Sequence, residues 1–240
     1  MSRHRFHPAL ALGVLLLAGS SAPAQIVYEF ANATTGAAQT NFTVPVGGAI
    51  PVRLYLHELT PGAPLFNSAG GLGSGAVQLS FNTPPGVASV LTAADVTPAT
   101  TAGGGLWDFG TPNLSTAGTS AVLADAALAA GVRPDAQGRV LLGTFTLHGL
   151  APGVVTLGAA DPNPAIAFDT SSFAADPNGV PLVNYDPLII TATATLTVAP
   201  VPEPASVLAA GAAAAGLVRL GRRIRRRTRA SVPAPSDHPA

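Results

Sequence analysis

Few side chains in this sequence could carry out acid–base chemistry, and the histidines are the first to consider because they titrate near neutral pH. His57 lies beside Glu58 at the end of a predicted strand, where adjacent side chains point to opposite faces of a sheet. His148 comes just before a Gly-Leu-Ala-Pro-Gly turn. Neither position offers the second group that a general base requires. We therefore predict that both histidines are polar surface residues.

Carboxylates are the next candidates. A hydrolase acting on polysaccharide needs two carboxyl groups about 5 to 10 Å apart across a groove. Asp95, Asp108 and Asp125 are the candidates for such a pair. The absence of cysteine excludes disulfides, thiolate metal sites and cysteine nucleophiles. We predict no catalytic residues, no cofactor and no resident metal, and a secreted polysaccharide hydrolase is the least favoured function.

Two acidic segments contain the oxygen ligands that calcium prefers. They are Asp161-Pro162-Asn163 with Asp169, and Asp176-Pro177-Asn178-Gly179. Neither segment has the twelve-residue loop of a calcium-binding hand or its final glutamate. Asp-Pro-Asn-Gly is more typical of a turn. A turn at Asp176 is therefore predicted, and calcium binding remains an open alternative.

Two other patterns are typical of ligand sites. The segment from Gly71 to Ala76 matches G-x-G-x-x-A, but a dinucleotide-binding loop must open a helix, and here a strand follows. We predict a flexible loop or hairpin tip. Trp107, with Asp108 and Phe109, could form a platform on which a sugar stacks. A sole tryptophan in a β-domain more often packs in the core or anchors a loop.

Charge is segregated along the chain although its formal sum is zero. Residues 25–200 contain three arginines against ten acidic residues, whereas residues 219–229 contain seven arginines. Nucleic-acid binding depends on basic residues that neutralise phosphates, so an acidic middle region argues against a nucleic-acid partner. The basic ends need a different explanation.

The N-terminus has the three parts of a secretory signal. Arg3 and Arg5 are basic, residues 9–18 are apolar, and Ala22-Pro23-Ala24 is a small-residue cleavage site. Cleavage by signal peptidase after Ala24 is predicted. An apolar stretch of about ten residues is too short to span a bilayer. The sequence therefore predicts an exported protein that uses the secretion machinery.

The C-terminus combines a proline-rich motif, an apolar segment and a basic cluster. Pro202-Glu203-Pro204 cannot form a regular helix or central strand, so it should be extended and accessible to a protease. Residues 205–220 would form a helix of about 24 Å, a marginal span for a hydrocarbon core of about 30 Å. The basic cluster that follows should hold the C-terminus in the cytoplasm; it contains Arg222, Arg223, Arg225, Arg226 and Arg227.

This order of motif, helix and basic run resembles the PEP-CTERM sorting domain of bacterial surface proteins. The resemblance covers Val201 to Thr228, and Pro202, Glu203 and Pro204 match the family's motif. It implies recognition by a membrane-embedded exosortase and transfer to the cell surface or extracellular matrix. The chain extends past the basic run as residues 230–240, which departs from the family's usual abrupt end.

Residues 25–200 have mainly the two-residue periodicity of β-strands, with glycine, proline, asparagine and aspartate between the strands. We predict an all-β fold, an antiparallel sandwich or jelly roll of about nine strands. A signal helix and a C-terminal hydrophobic helix should flank it. The predicted strands are 26–30, 41–45, 50–57, 76–81, 87–91, 121–126, 139–147, 154–159 and 188–198. A helical turn is predicted at 126–130, and a turn ending at Gly138.

Two segments resemble strands of cohesin-like domains. They are Gly138 to Leu157 and Gly75 to Asn82, the second with the run Gln78-Leu79-Ser80-Phe81-Asn82. The resemblance implies a jelly-roll sandwich of the kind found in surface assemblies, where some members bind dockerin modules.

Together these patterns predict four regions and a localisation. The regions are a signal peptide (1–24), a β-sandwich (25–200), a sorting tail with its transmembrane helix (201–229) and a disordered tail (230–240). The precursor should be anchored in the membrane, and the processed protein should reach the envelope, the surface or the medium. The leading hypothesis is a non-enzymatic structural or adhesive surface protein. The alternative is a cohesin-like module that binds protein or extracellular polysaccharide.

Overall fold

The computed structural model describes residues 25–59, 65–82, 86–90, 92–101 and 106–201. Thirteen strands lie within these ranges: β1 (Ile26–Asn32), β2 (Asn41–Pro45), β3 (Ala49–Glu58), β4 (Leu72–Asn82), β5 (Ala88–Ser89), β6 (Val96–Pro98), β7 (Phe109–Leu114), β8 (Ser120–Ala126), β9 (Arg139–Gly149), β10 (Gly153–Ala160), β11 (Ser171–Ser172), β12 (Ile189–Ile190) and β13 (Ala192–Ala199). Three short 3-10 helices accompany them, at Leu65–Gly70, Ala93–Asp95 and Asp186–Leu188. Among the helices of these ranges, none is long and apolar enough to cross a membrane.

The strands form two sheets that pack face to face as a sandwich. The six-stranded sheet has the order β12-β1-β3-β9-β5, with β6 also paired to β9. The seven-stranded sheet has the order β2-β13-β10-β4-β8-β7, with β11 paired to β4. The predicted all-β sandwich is therefore confirmed. It is not purely antiparallel, because β1 pairs with β12 and β13 pairs with β2 in parallel.

Side chains alternate along each strand, so that every second residue points into the space between the sheets, and these inward residues are mainly apolar. In β1, for example, Ile26, Tyr28 and Phe30 are buried, and in β13 the inward residues are Ala194, Leu196 and Val198. Phe42, Leu54, Phe145 and Leu157 are among the other core residues. Removing these side chains from water is the main driving force for folding in a chain without disulfides.

Each of the nine predicted strands overlaps an observed strand, and the range 41–45 matches β2. Three strands were missed: β6, β7 and β11. The predicted strand 188–198 is divided into β12 and β13, which belong to different sheets. The predicted helical turn at 126–130 is wrong, since residues 128–130 form a bend. The turn ending at Gly138 is confirmed, with φ of 77° at that glycine.

A long connection, residues 161–188, leads from β10 in the seven-stranded sheet to β12 in the six-stranded sheet. It includes β11, which pairs with the beginning of β4 at Leu72 and Ser74. Tyr185 anchors the connection: its side chain is fully buried, and its ring meets Phe66 edge to face at a centroid distance of 5.6 Å. The connection therefore belongs to the folded unit.

Candidate functional site

The outward face of the seven-stranded sheet is covered with small hydroxyl and amide side chains. We call this surface the hydroxyl face. In β13 the inward residues alternate with Thr193, Thr195 and Thr197, so the three threonines share the outer side. β-branched threonine is well suited to this position because its stiff side chain packs well on a pleated surface.

Strand register assembles these side chains into rows. Thr195 of β13 lies between Thr156 of β10 and Asn41 of β2. A second row runs from Thr193 through Gly158 to Ser80 and Ser120. Further along, Gln78 lies opposite Val122. The two rows come from five strands, β2, β13, β10, β4 and β8, which are not consecutive in the sequence.

The hydroxyl face has no charged side chain at any outward position of β2, β13, β10, β4, β8 or β7 for which the structure describes the side chain. Apolar side chains lie among the polar ones, including Val122 and Ala124 of β8, Val154, which is 57% exposed, and Phe109 at the β7 edge. Six strands at about 4.8 Å spacing make the face about 24 Å across. It is therefore an uncharged surface on an acidic domain.

The outer face of the six-stranded sheet is different, because it carries charged side chains and several of them pair with one another. The Glu29 carboxylate lies 2.7 Å from Nδ1 of His57 and 3.2 Å from the Arg139 guanidinium. Arg139 also pairs with Asp135 at 3.1 Å and stacks over the Tyr55 ring at 4.6 Å. This charged cluster ties β1, β3 and β9 together.

The structure corrects the prediction for the two histidines. His57 has Glu29 as a partner, and Nε2 of His148 lies 2.9 Å from Asp95. Burial raises the pKa of Asp95, but the bonds from His148 and Thr92 outweigh it and hold the pKa below its usual range. The carboxylate partners were missed because each lies at least 28 residues away in the chain. Each pair is a structural link between two elements.

The three aspartates proposed for glycosidase chemistry occupy three separate environments. Asp95 pairs with His148, whereas Asp108 accepts hydrogen bonds from the backbone N–H groups of Leu128 and Ala129. Asp125 points into the core from β8 and is 3% exposed, with no hydrogen-bond partner for either carboxylate oxygen among the described residues. Because Asp125 is enclosed, it cannot flank a sugar chain in a groove, and the carboxylates of Asp95 and Asp108 are each engaged by groups of the protein itself.

Trp107 is part of the core, so the sugar-stacking platform is wrong. Its side chain is fully buried, and its indole N–H donates to the Leu141 carbonyl oxygen at 2.8 Å. The alternative prediction, a core or anchoring tryptophan, is the one that the structure supports. Phe109 is exposed, but the buried Trp107 does not form a platform beside it.

The segment that matches G-x-G-x-x-A lies mostly in a strand and is not a hairpin tip, since only Gly71, in the bend before β4, is outside it. Gly73 and Gly75 lie within β4. A Cβ at Gly75 would lie 2.9 Å from Leu142 and 3.1 Å from Trp107, and one at Gly73 would lie 2.7 Å from the Ser172 carbonyl oxygen. These glycines allow close packing in the sandwich.

The acidic segments separate into a turn and a cluster. Asp176 accepts hydrogen bonds from the N–H groups of Asn178 and Val180, which confirms the predicted turn. Asp161, Asp169 and Asp186 lie close enough for their charges to interact. No group of three or more histidines, aspartates or glutamates in the described ranges has the geometry to hold a metal ion.

The sites predicted at the two ends of the chain lie outside the described residues. They are the cleavage site at Ala22 and Ala24, the motif Pro202-Glu203-Pro204 and the basic cluster from Arg222 to Arg227. They remain predictions from the sequence.

No family model matches the chain, and no curated protein matches it in sequence. Among solved structures it is similar to a type I cohesin–dockerin complex from Clostridium thermocellum, with 9% identity, a TM-score of 0.43, and coverage of 74% of this chain and 94% of that chain. It is also similar to a type II cohesin module of a cellulosomal adaptor scaffoldin from Acetivibrio cellulolyticus, with 8% identity, a TM-score of 0.42, and coverage of 74% and 96%. These TM-scores are low, and the sandwich assignment is based on the chain's own strand pairings.

Proposed function

We propose that the sandwich is a non-enzymatic binding module of an exported protein, and that it docks a partner protein through the hydroxyl face. The observation that carries this proposal is the neutrality of that face. The domain has ten acidic residues and three arginines. None of these charged residues lies at a described outward position of β2, β13, β10, β4, β8 or β7. Because its side chains are small and uncharged, the hydroxyl face is the surface of this molecule that a partner protein can bury at the lowest cost in free energy.

The energetics of docking favour this face. Burying an unpaired charge costs far more free energy than burying a hydroxyl that can find a hydrogen-bond partner. Threonine and serine also lose little side-chain entropy when they are immobilised. The cores of protein interfaces are correspondingly depleted in charged residues. A partner that supplies aromatic or arginine side chains could bury them here without displacing a salt bridge.

A protein partner fits the hydroxyl face better than a polysaccharide. Carbohydrate binding commonly uses exposed aromatic rings, and the sole tryptophan is buried in the core. The exposed ring of Phe109 lies at the sheet edge and not in the centre of the face. Of the functions that the sequence suggests, the cohesin-like protein-binding module is therefore the one we propose.

Capture experiments with paired variants test this docking. The tagged full-length protein is recovered from its own cells, alone or with Thr156→Arg, and the associated proteins are identified. We expect a discrete partner that is retained by the wild type and reduced at least tenfold by Thr156→Arg, because a new charge must be buried at the interface. Thr146→Arg, on the opposite sheet, is the matched control and should retain the partner. Equal loss with both variants, or no partner with the wild type, would contradict the proposal.

The export part of the proposal is based on the two ends of the sequence. An exosortase-like enzyme would process the chain near Pro202-Glu203-Pro204 and release the sandwich to the envelope, the surface or the medium. Intact mass and cell fractionation test it, with all three motif residues changed to alanine in a second strain. We expect a wild-type protein that begins at Gln25 and lacks the arginine tail, and a variant that stays in the membrane. If both proteins keep the tail, the motif is a simple linker.

A further inference from the structure

The connection between β10 and β12 contains a groove beside the seven-stranded sheet. The groove has a volume of about 390 Å³, and its lining includes Asp161, Pro164, Ile166, Asn184, Asp186 and Pro187. We call it the connection groove. Its position follows from the chain path, because Asp161 comes directly after the last residue of β10.

Most of the groove wall is apolar. Ile166 is 54% exposed, and Pro164, Ala165 and Pro187 are also exposed. Leu188 is adjacent in the sequence and is 38% exposed. Clustered apolar side chains that remain in contact with water are a common property of binding surfaces.

Side-chain hydrogen bonds fix the shape of the groove. Oδ1 of Asn184 accepts from the N–H groups of Phe168 and Asp186, at 3.3 and 3.1 Å. The Asp186 carboxylate accepts from the N–H groups of Asp169 and Thr170, at 3.1 and 2.7 Å. The two walls of the groove are thereby joined, and a ligand would find the site already formed.

The charge of the groove is negative and is not balanced from within. Asp161 and Asp186 line it, Asp169 lies beside it, and residues 161–190 contain no arginine, lysine or histidine. None of the ion pairs among the described residues includes these three aspartates. Burial, together with the charges of Asp161 and Asp186, raises the pKa of Asp169. The three carboxylates therefore repel one another.

The groove borders the hydroxyl face. The Ser74 hydroxyl of β4 donates to the Phe168 carbonyl oxygen at 3.1 Å, and the Ala76 N–H donates to the Thr170 hydroxyl. The connection thus rests on the same sheet that provides the hydroxyl face, and a protein docked on that face would lie beside the groove.

We infer that the connection groove receives an arginine or lysine side chain, with an apolar residue next to it, from the protein that docks on the hydroxyl face. The inference rests on the proposed docking function and specifies the chemistry of its partner. The apolar wall would cover the methylene stem of the basic residue, and the carboxylates would face its charged end. The negative groove supplies the charge complementarity that the neutral face lacks.

Two defined peptides test the groove without knowledge of the partner. The ¹⁵N-labelled full-length protein in detergent is titrated with acetyl-Leu-Arg-Leu-amide, and in parallel with the neutral analogue acetyl-Leu-citrulline-Leu-amide. We expect saturable shifts of the amide signals of Asp161, Ile166 and Asn184 with the arginine peptide, and at least about fivefold weaker binding of the citrulline peptide. Equal binding of both peptides, or shifts elsewhere only, would overturn the inference.

Matched variants separate the groove from general charge effects. Asp161→Asn removes a charge from the groove but preserves the hydrogen bond that Asp161 accepts from the Asn163 N–H. Asp176→Asn removes the same charge from a similar turn that does not line the groove. We expect about fivefold weaker binding of the arginine peptide with Asp161→Asn and no change with Asp176→Asn. The same loss with both variants would overturn the inference.

The peptide titration and the capture experiment can fail separately. Thr156→Arg lies outside the groove and should leave the peptide response unchanged, so the docking proposal depends on capture alone. If the partner is captured through the hydroxyl face but neither Asp161→Asn nor Ile166→Ser weakens its binding, the docking proposal stands and the groove inference is wrong. If both variants weaken capture about fivefold while Asp176→Asn does not, the inference is supported.

Discussion

Asp125 is a carboxylic acid within the core of the sandwich. It extends from β8 toward Gly110 and Pro98, and neither of its oxygens has a hydrogen-bond partner among the described residues. Burial in this apolar environment raises the pKa of Asp125 to about 8. The group is therefore mostly protonated at neutral pH in the folded protein, whereas it is ionised in the unfolded chain.

This difference makes the free energy of unfolding depend on pH. The folded pKa of about 8 lies above the unfolded value of about 3.9, so folding costs free energy wherever the unfolded carboxyl is ionised. The contribution of Asp125 is absent below about pH 4, grows more unfavourable as the pH rises, and is constant above about pH 8. At pH 7 it is roughly 4 kcal/mol.

We predict that Asp125→Asn stabilises the protein at pH 7 and has little effect near pH 4, because asparagine has the shape of protonated aspartate and cannot ionise. Urea unfolding, followed by the fluorescence of the sole tryptophan, Trp107, measures the change at each pH. Asp176→Asn, in an exposed turn, is the control and should not reproduce the effect. A stability difference between the variant and the wild type that is independent of pH would contradict this account.

At the residue scale, the sequence indicated which groups were available but not where they lay. The carboxylate partners of His57 and His148 could not be predicted, because strand register decides which distant residues become neighbours. Asp125 was considered in the sequence only as a candidate for a carboxylate pair in a groove, yet the alternation of β8 directs it inward with Leu123. The alternation of β8 could be recognised in the sequence. It does not by itself show which side of the strand faces the core, because that depends on which side carries the apolar residues.

At the element scale, glycines determine how closely strands and sheets approach. Gly110 of β7 lies where the two sheets meet, since a Cβ there would be 2.4 Å from both Pro98 of β6 and the Asp125 carboxylate. Gly158 of β10 faces outward, and the nearest atom to a Cβ there is the Ser80 hydroxyl oxygen, which can rotate away.

We predict that Gly110→Ala destabilises the fold by about 2 kcal/mol, because the new Cβ would clash with the rigid proline ring and with the buried carboxyl. Gly158→Ala should change the free energy of unfolding by less than about 0.5 kcal/mol. Chemical denaturation of both variants at one pH provides the comparison. Equal destabilisation by the two substitutions would show that the close contact at Gly110 does not limit packing.

The longer strands could be predicted because alternation and flanking turns are local signals. β6 and β11 were missed because strands of three and two residues are too short to show a period. β7 was missed because Gly110 and Pro112 interrupt it, and proline in a strand is tolerated mainly at an edge such as this one. The two parallel pairings depend on how the chain crosses between the sheets, which no local pattern encodes.

At the scale of the whole molecule, the outer faces of the two sheets differ in charge. The six-stranded sheet carries charged side chains on its outer face, and His57, Glu29 and Arg139 are linked there by ion pairs. The hydroxyl face has no charged side chain at its described outward positions. Individual threonines were visible in the sequence, but the rows appear only when β2, β13, β10, β4 and β8 are placed side by side. The candidate docking surface is therefore a property of the assembled sheet.

Site-specific photocrosslinking in the native cells tests the docking surface most directly. A photoreactive benzoylphenylalanine replaces Thr156 on the hydroxyl face or, as the control, Thr146 on the opposite sheet, and the adducts are identified after irradiation. We expect a discrete protein adduct from position 156 and none of that mass from position 146. The same adduct from both positions, or an adduct from position 146 alone, would contradict the claim that the sandwich docks its partner through the hydroxyl face.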